Sequence, residues 1–258
     1  MPVKAKSTMG DPAGLKPSHR RLWFAGPLVL LLLIILLSLG TWQVKRLYWK
    51  EALLSEIDLR VHSAPVELSK IETIASSGGN IEYRTVRLSG VFDHAKERHF
   101  FATHQGQTGY YVYTPLTLDD GREIFINRGF VPYDMKDPAK REQGQIAGRV
   151  TIEGLARAQL AAKPSMMLPD NDLAKNIFYW KDIHAMAKSA GVLAEKLVPF
   201  FIDADDAPNS GGWPKGGVTL IDLPNNHLQY AITWYGLAAA LVFVAGFAYV
   251  RSMKGPKE

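Results

Sequence analysis

Cysteine is absent from all 258 residues of the chain. That excludes disulfide staples, thiolate nucleophiles, Cys-x-x-Cys redox exchange and thiolate binding of copper. Charge is also missing from two long stretches. Residues 22–39 are an almost unbroken run of Leu and Ile after Leu22-Trp23-Phe24-Ala25-Gly26-Pro27, and residues 231–250 are rich in Ala, Leu, Val and Phe. Neither contains Asp, Glu, Lys or Arg. Each is close to the roughly 20 residues that a helix needs to cross about 30 Å of hydrocarbon. A cleaved signal peptide is the alternative for the first run, with Ser38-Leu39-Gly40 as a weak small-x-small site, but the run exceeds the roughly 7–15 apolar residues of a signal core. Two retained spans are therefore expected.

Basic residues orient those spans. Lys4, Lys6, Lys16, Arg20 and Arg21 precede the first, against one acid, Asp11, while Arg251, Lys254 and Lys257 follow the second. Lys45, Arg46 and Lys50 form an opposing cluster after the first span. The balance puts both termini in the cytoplasm and the middle of the chain across the membrane, in the periplasm of a bacterium or the intermembrane space of a mitochondrion. The same split accounts for the net charge of +5 at pH 7. No nucleic-acid partner is needed to explain it.

Between the spans the pattern is mostly that of strands. Residues 82–92, 109–118, 123–131, 150–156, 198–203 and 218–223 are candidates, with Asp119-Asp120-Gly121 as a hairpin turn between the second and third. Residues 43–59 continue the first span as an amphipathic helix, and residues 180–190 form another, stopped by Gly191. Ser76-Ser77-Gly78-Gly79 and residues 208–217 are breaks, the latter a flexible connector. The expected architecture is two transmembrane α-helices flanking one mainly antiparallel β extracytoplasmic domain, barrel- or sandwich-like, with short helices. Its parts are a basic tail (1–21), a span (22–40), the β-rich domain (41–227), a span (228–250) and a second tail (251–258).

Few constellations in the central region point to chemistry. His94, His99 and His104 recur every five residues, but odd spacing alternates the faces of a strand, so they read as surface histidines rather than metal ligands. Asp203-Ala204-Asp205-Asp206 lacks calcium-loop spacing and reads as a turn. The glycine-rich stretch from Ser210 to Gly217 does not have the order of a phosphate loop. Asn127-Arg128-Gly129 reads as a strand end and turn with a solvated or ion-paired arginine, or alternatively as a partner contact. No nucleophile–base pair stands out, so an enzyme is not expected.

The membrane boundary is richer. Both spans reach the far side at comparable height, so residues 40–49 and 225–234 should be neighbours. Trp42, Arg46 and Trp49 make one stripe at helical spacing, and His227, Tyr230 and Trp234 another. An aromatic belt with an interfacial arginine explains them without a ligand. A pocket for a flat amphiphile explains them too, with His227 ligating haem iron and Arg46 meeting a propionate. Gly236 and Ala240 form a small-xxx-small pair that would let the spans approach closely.

Four blocks carry a resemblance. They are Leu39-Gly40-Thr41-Trp42-Gln43-Val44-Lys45-Arg46-Leu47-Tyr48-Trp49-Lys50, Tyr83-Arg84-Thr85-Val86-Arg87-Leu88-Ser89-Gly90-Val91-Phe92, Ile124-Phe125-Ile126-Asn127-Arg128-Gly129-Phe130-Val131-Pro132, and Pro224-Asn225-Asn226-His227-Leu228-Gln229-Tyr230-Ala231-Ile232-Thr233-Trp234-Tyr235. In this order they resemble the blocks of the Surfeit locus protein 1 (Shy-type) family of cytochrome c oxidase assembly factors. The resemblance implies a non-enzymatic protein that binds haem a and helps its insertion into the catalytic subunit of an aa3-type oxidase. It implies His227 as axial ligand to the haem iron, and the helical spacing described above would put Trp42, Arg46, Tyr230 and Trp234 around that cofactor. Implied partners are that catalytic subunit and membrane lipid, with haem a synthase as a further candidate. A haem-independent scaffold that stabilises an oxidase assembly intermediate is the alternative.

Overall fold

The computed structural model describes residues 19–221 and 224–253, with side chains from residue 25 onward. Most of the basic tail (Lys4, Lys6, Asp11 and Lys16), the side chains of Arg20 and Arg21, residues 222–223 of the expected last strand, and Lys254 and Lys257 lie outside the described residues. The chain forms two compact units, Met1–Ala52 with Pro224–Glu258, and Leu53–Leu223.

The first unit is a helix pair. Helix α1 (His19–Val61) has 43 residues, and at 1.5 Å per residue it is about 64 Å long. Its part from Ala25 and helix α4 (His227–Met253) are long and apolar enough to cross a membrane, with hydropathies of 2.3 and 1.8. Covered positions on α1 include Leu33, Leu36, Gly40, Gln43, Leu47 and Lys50, flanked by Val29, Leu39 and Val44, and on α4 they are His227, Ala231, Trp234, Ala238, Leu241 and Ala245. Steps of three and four make a continuous seam on each helix, the spacing of knobs-into-holes packing. Contacts of Lys50 with Pro224, Gln43 with His227 and Thr41 with Tyr235 show that the helices run antiparallel. The expected neighbourhood of residues 40–49 and 225–234 is observed. The small-xxx-small pair is not on the seam: Gly236 and Ala240 are exposed, and nothing stands within 4 Å of where a Gly236 Cβ would be. Gly40 supplies the close approach instead. A Cβ there would meet the Tyr235 ring at 2.8 Å.

The second unit is a barrel. Its elements are β1 (Val66–Glu67), α2 (Leu68–Ser76), β2 (Thr85–Phe92), β3 (Arg98–His104), β4 (Gln107–Thr117), β5 (Glu123–Pro132), β6 (Arg149–Ala158), β7 (Ile177–Phe178), α3 (Ile183–Ala190) and β8 (Leu197–Ala204). The sheet order is β1-β2-β6-β8-β5-β4-β3-β7, and β2 also pairs with β4. That extra pairing closes a ring of five strands, β2-β6-β8-β5-β4. Pairing is antiparallel except for β1 with β2, β3 with β7, and β5 with β8.

Strand alternation sorts the side chains. Ile124, Ile126, Phe200 and Ile202 join Val86, Leu88 and Leu116 in the barrel interior. Phe125 and Phe201, on the opposite faces of the same strands, join Tyr113 and pack under Ile183, Met186 and Ala187 of α3. Both faces of β5 are therefore buried. Asp182 caps α3, accepting from the Ala185 amide, and Gly191 ends it.

Several sequence expectations are corrected here. Residues 218–221 form no strand. The stretch from Ser210 to Gly217 is not a free connector, because Phe130 and Lys215 exchange both backbone hydrogen bonds, at 2.8 and 2.9 Å. Gly129 makes this possible at φ 119°, where a Cβ would lie 1.8 Å from the Lys215 carbonyl oxygen. Asn127-Arg128-Gly129 sits inside β5 rather than at its end, and Arg128 is buried without a carboxylate partner among the described residues. The three spaced histidines are not surface groups either. His99 is buried on β3, while His94 and His104 are half-buried.

Candidate functional site

The Leu-rich run before Gly40 makes α1 a span, and the first polar residue on its covered face is Gln43. The chain re-enters through Pro224-Asn225-Asn226, whose proline and asparagines favour a turn over a helix. Helix α4 begins at His227. The imidazole consequently stands at the helix start, opposite Gln43. The Gln43 carbonyl oxygen Oε1 lies 2.7 Å from His227 Nδ1. Since that oxygen only accepts, Nδ1 donates, and Nε2 is the ring nitrogen turned away from Gln43. Nε2 has no protein partner among the described residues. Gln43 is buried and His227 half-buried.

Other polar groups surround this pair. Lys50 donates to the Pro224 carbonyl. Asn225 Oδ1 is buried without a hydrogen-bond partner. One turn toward the apolar interior, Thr41 Oγ1 donates to the Leu37 carbonyl at 2.8 Å and lies 3.1 Å from the Tyr235 hydroxyl. The Lys50–Pro224, Gln43–His227 and Thr41–Tyr235 contacts tie the two segments together and leave His227 Nε2 without a protein partner among the described residues.

The remaining residues singled out from sequence are distributed around the seam. Trp234 is on it. Trp42 and Tyr230 are 56% and 53% exposed and point away from the helix partner. The Arg46 guanidinium carbon lies 3.7 Å from the centre of the Trp49 ring. This stack leaves the guanidinium exposed and unpaired with any carboxylate among the described residues, so it can still bind one. Gln43 escaped the aromatic-stripe reading. The signal that could have found it is the three–four spacing through Leu36, Gly40, Gln43 and Leu47, in which Gln43 is the first polar residue after the apolar run.

The barrel holds a second, buried polar cluster. Arg141 donates two hydrogen bonds to the Glu97 carboxylate, and His99 Nε2 lies 3.0 Å from Glu97 Oε1. Burial alone would raise the Glu97 pKa; hydrogen bonds from His99 and Arg141 outweigh it and hold the carboxyl below its usual range. Beside it, His94 Nε2 donates to the Ile146 carbonyl at 2.9 Å, and Arg128 donates to His94 Nδ1 at 3.3 Å. Burial pushes His94 down and brings Arg128 down to about 10. Among the described residues no group of three or more His, Cys, Asp or Glu side chains is placed to hold a metal ion.

Comparison with known proteins follows the same chain span. The profile of the SURF1 family matches residues 30–239. Surfeit locus protein 1 of Rattus norvegicus is 38% identical over 234 residues, covering 84% of this chain and 73% of that protein. The Homo sapiens protein of the same name is 36% identical over 244 residues, covering 88% and 78%. That of Takifugu rubripes is 34% identical over 249 residues, covering 90% and 98%.

Proposed function

Because the chain belongs to the SURF1 family, we propose that this membrane protein serves the assembly of cytochrome c oxidase by holding haem a at His227 for transfer to the catalytic subunit. The observation that carries the reading is the Gln43–His227 contact at 2.7 Å. It leaves the second ring nitrogen, Nε2, without a protein partner among the described residues at the start of a membrane-spanning helix. Bound haem a supplies an iron that accepts such a nitrogen and propionates that accept from a guanidinium. The residues present fit that group. His227 offers Nε2, Arg46 offers an exposed guanidinium braced on Trp49, and Trp42, Tyr230 and Trp234 provide aromatic surface. Asn225 Oδ1, an unpartnered buried acceptor two residues before the ligand, is available to a donor at the same place.

The role is to bind, orient and release, so the protein acts as a chaperone of the cofactor rather than as an enzyme. The positive-inside balance supports cytoplasmic termini and a site on the opposite side of a bacterial inner membrane, or of the mitochondrial inner membrane. Haem a synthase is a candidate donor there.

Absorption spectroscopy tests the ligand. Protein purified from cells that make haem a should show a Soret band that falls at least about tenfold in His227→Ala, as loss of an axial ligand implies. Unchanged haem occupancy in the variant overturns the assignment.

A second reading, a haem-independent scaffold for an oxidase intermediate, is favoured by the loop between β6 and β7. Met166 and Met167 there are 100% and 95% exposed, an adaptable apolar contact surface. It requires co-purification with the catalytic subunit when haem a synthesis is blocked; loss of that association refutes it.

A further inference from the structure

Arg128 is a buried cation without a counter-charge. It is 3% exposed, and its partners are all neutral: His94 Nδ1 at 3.3 Å, the Gly144 carbonyl, and Asn209 Oδ1 at 3.5 Å. The Phe92 ring lies 4.9 Å from the guanidinium carbon. Arg128 Nε has no protein acceptor among the described residues. The nearby carboxylate, Glu97, already receives two hydrogen bonds from Arg141 and one contact from His99. Taking a charge out of water this way costs several kcal/mol unless an opposite charge meets it.

The same arginine lines a cavity of about 320 Å³, within the range of small-ligand sites. Most of its wall is apolar, formed by Phe92, Ile146, Val150, Ile152, Ala204 and Pro208. Two acids complete it. Glu153 is paired with Arg87 at 2.8 Å, and Asp205 is exposed and accepts from the Ala207 amide at 3.2 Å. The charge order is therefore positive at depth and negative toward solvent. With both Nη atoms held by protein acceptors, Arg128 Nε remains to donate a charge-assisted hydrogen bond to one carboxylate oxygen. The apolar wall suits a short hydrocarbon chain, and the outer acids disfavour a dianion such as phosphate.

We propose that this barrel cavity binds a small monocarboxylate with an apolar chain, its carboxylate on Arg128. The site does not depend on His227 or on haem.

Hexanoate is the probe, with full-length protein in lipid nanodiscs and empty nanodiscs as the blank. Saturable binding of one hexanoate per chain is expected, with hexan-1-ol and hexylammonium binding at least about tenfold more weakly. Arg128→Gln should weaken hexanoate binding by a similar factor. Should that variant fail to fold, Ala207→Trp decides. It fills the cavity from the exposed rim, leaves the Arg128 hydrogen bonds in place, and should abolish hexanoate binding without lowering the unfolding temperature. Hexanoate binding no tighter than that of the two control compounds, or full binding in Ala207→Trp, overturns the proposal.

Discussion

Gln43 and His227 hold one another across the seam of α1 and α4, 2.7 Å apart and 184 positions apart in the chain. One contact thereby joins two helices and fixes which imidazole nitrogen carries the proton. Replacing Gln43 with Leu removes the acceptor and should let both tautomers populate. Nitrogen-15 spectra of His227 in the haem-free protein read this directly: one tautomer in the wild type, a mixture in Gln43→Leu. Haem a affinity should fall by roughly 10- to 100-fold, the usual effect of losing the group that orients a ligating histidine. Gln43→Glu, which keeps an acceptor, should recover most of it. A single unchanged tautomer in Gln43→Leu would refute the orienting role while leaving the ligand assignment intact.

Gly40 and Tyr235 make the tightest approach between the same helices. Gly40→Val places methyl groups where the Tyr235 ring stands, because even a Cβ would come within 2.8 Å. Overpacking of this kind costs typically about 1–3 kcal/mol, and the helices should separate at this point. The chain has no cysteine, so spin labels on Leu28→Cys and Phe247→Cys, both exposed, report the helix spacing without background. A broadened, longer distance is expected for Gly40→Val and a recovered one when Tyr235→Ala is added. No change in either variant means that Gly40 does not set the approach.

Those two contacts also show where sequence reading stops. The spans were legible because roughly 20 uncharged residues admit one solution in lipid. Which face of each helix meets the other was not, because a span is apolar all round and burial gives no contrast between lipid and protein. The aromatic stripes drew attention to Trp42 and Tyr230, which are exposed, while the seam runs through Gly40, Gln43 and Ala231. Strands β2, β4, β5, β6 and β8 were readable from apolar patterning. Strand β3 was not, since its residues include His99 and His104 and only the fold shows that His99 is buried. Arg128 looked like a turn residue because Asn and Gly flank it. Its burial follows from His94, Gly144 and Asn209 packing against it from three other segments, long-range contacts that local spacing does not encode.

Glu97 and Arg141 form a buried ion pair that fastens the short 3-10 helix Pro138–Gly144 to the residue preceding β3. Glu97→Gln keeps the shape and removes the charge, leaving Arg141 buried beside Arg128 with no anion. Breaking one side of a buried pair costs about 3–5 kcal/mol. The unfolding midpoint of the barrel should drop accordingly. Glu97→Gln with Arg141→Met should recover part of the loss, because the uncompensated charge is then gone. A single variant within about 0.5 kcal/mol of wild type, the scale of an ordinary surface substitution, would mean that the pair is open to solvent.

The same cluster sets two pH windows for the stability of the barrel. His94 has its folded pKa pushed below the ordinary 6.5 by burial. The unfolded chain therefore takes up the proton first, so stability is full above about pH 6.5 and declines as pH falls from there to the lower folded value. Glu97 is held below the ordinary 4.5: burial opposes this, and its hydrogen bonds to His99 and Arg141 prevail. Its contribution is present above about pH 4.5 and is lost as pH falls through the lower folded value. Denaturant unfolding across pH 3–8 should accordingly show two successive losses. His94→Gln can still accept from Arg128 and donate to the Ile146 carbonyl, and it should erase the upper one alone. Glu97→Gln should reduce the lower one and leave the upper one in place; the exposed Asp119, Asp120 and Asp172, also held below the ordinary range, account for what remains. An upper loss that survives intact in His94→Gln would assign it to another histidine and sever it from the Arg128 cavity.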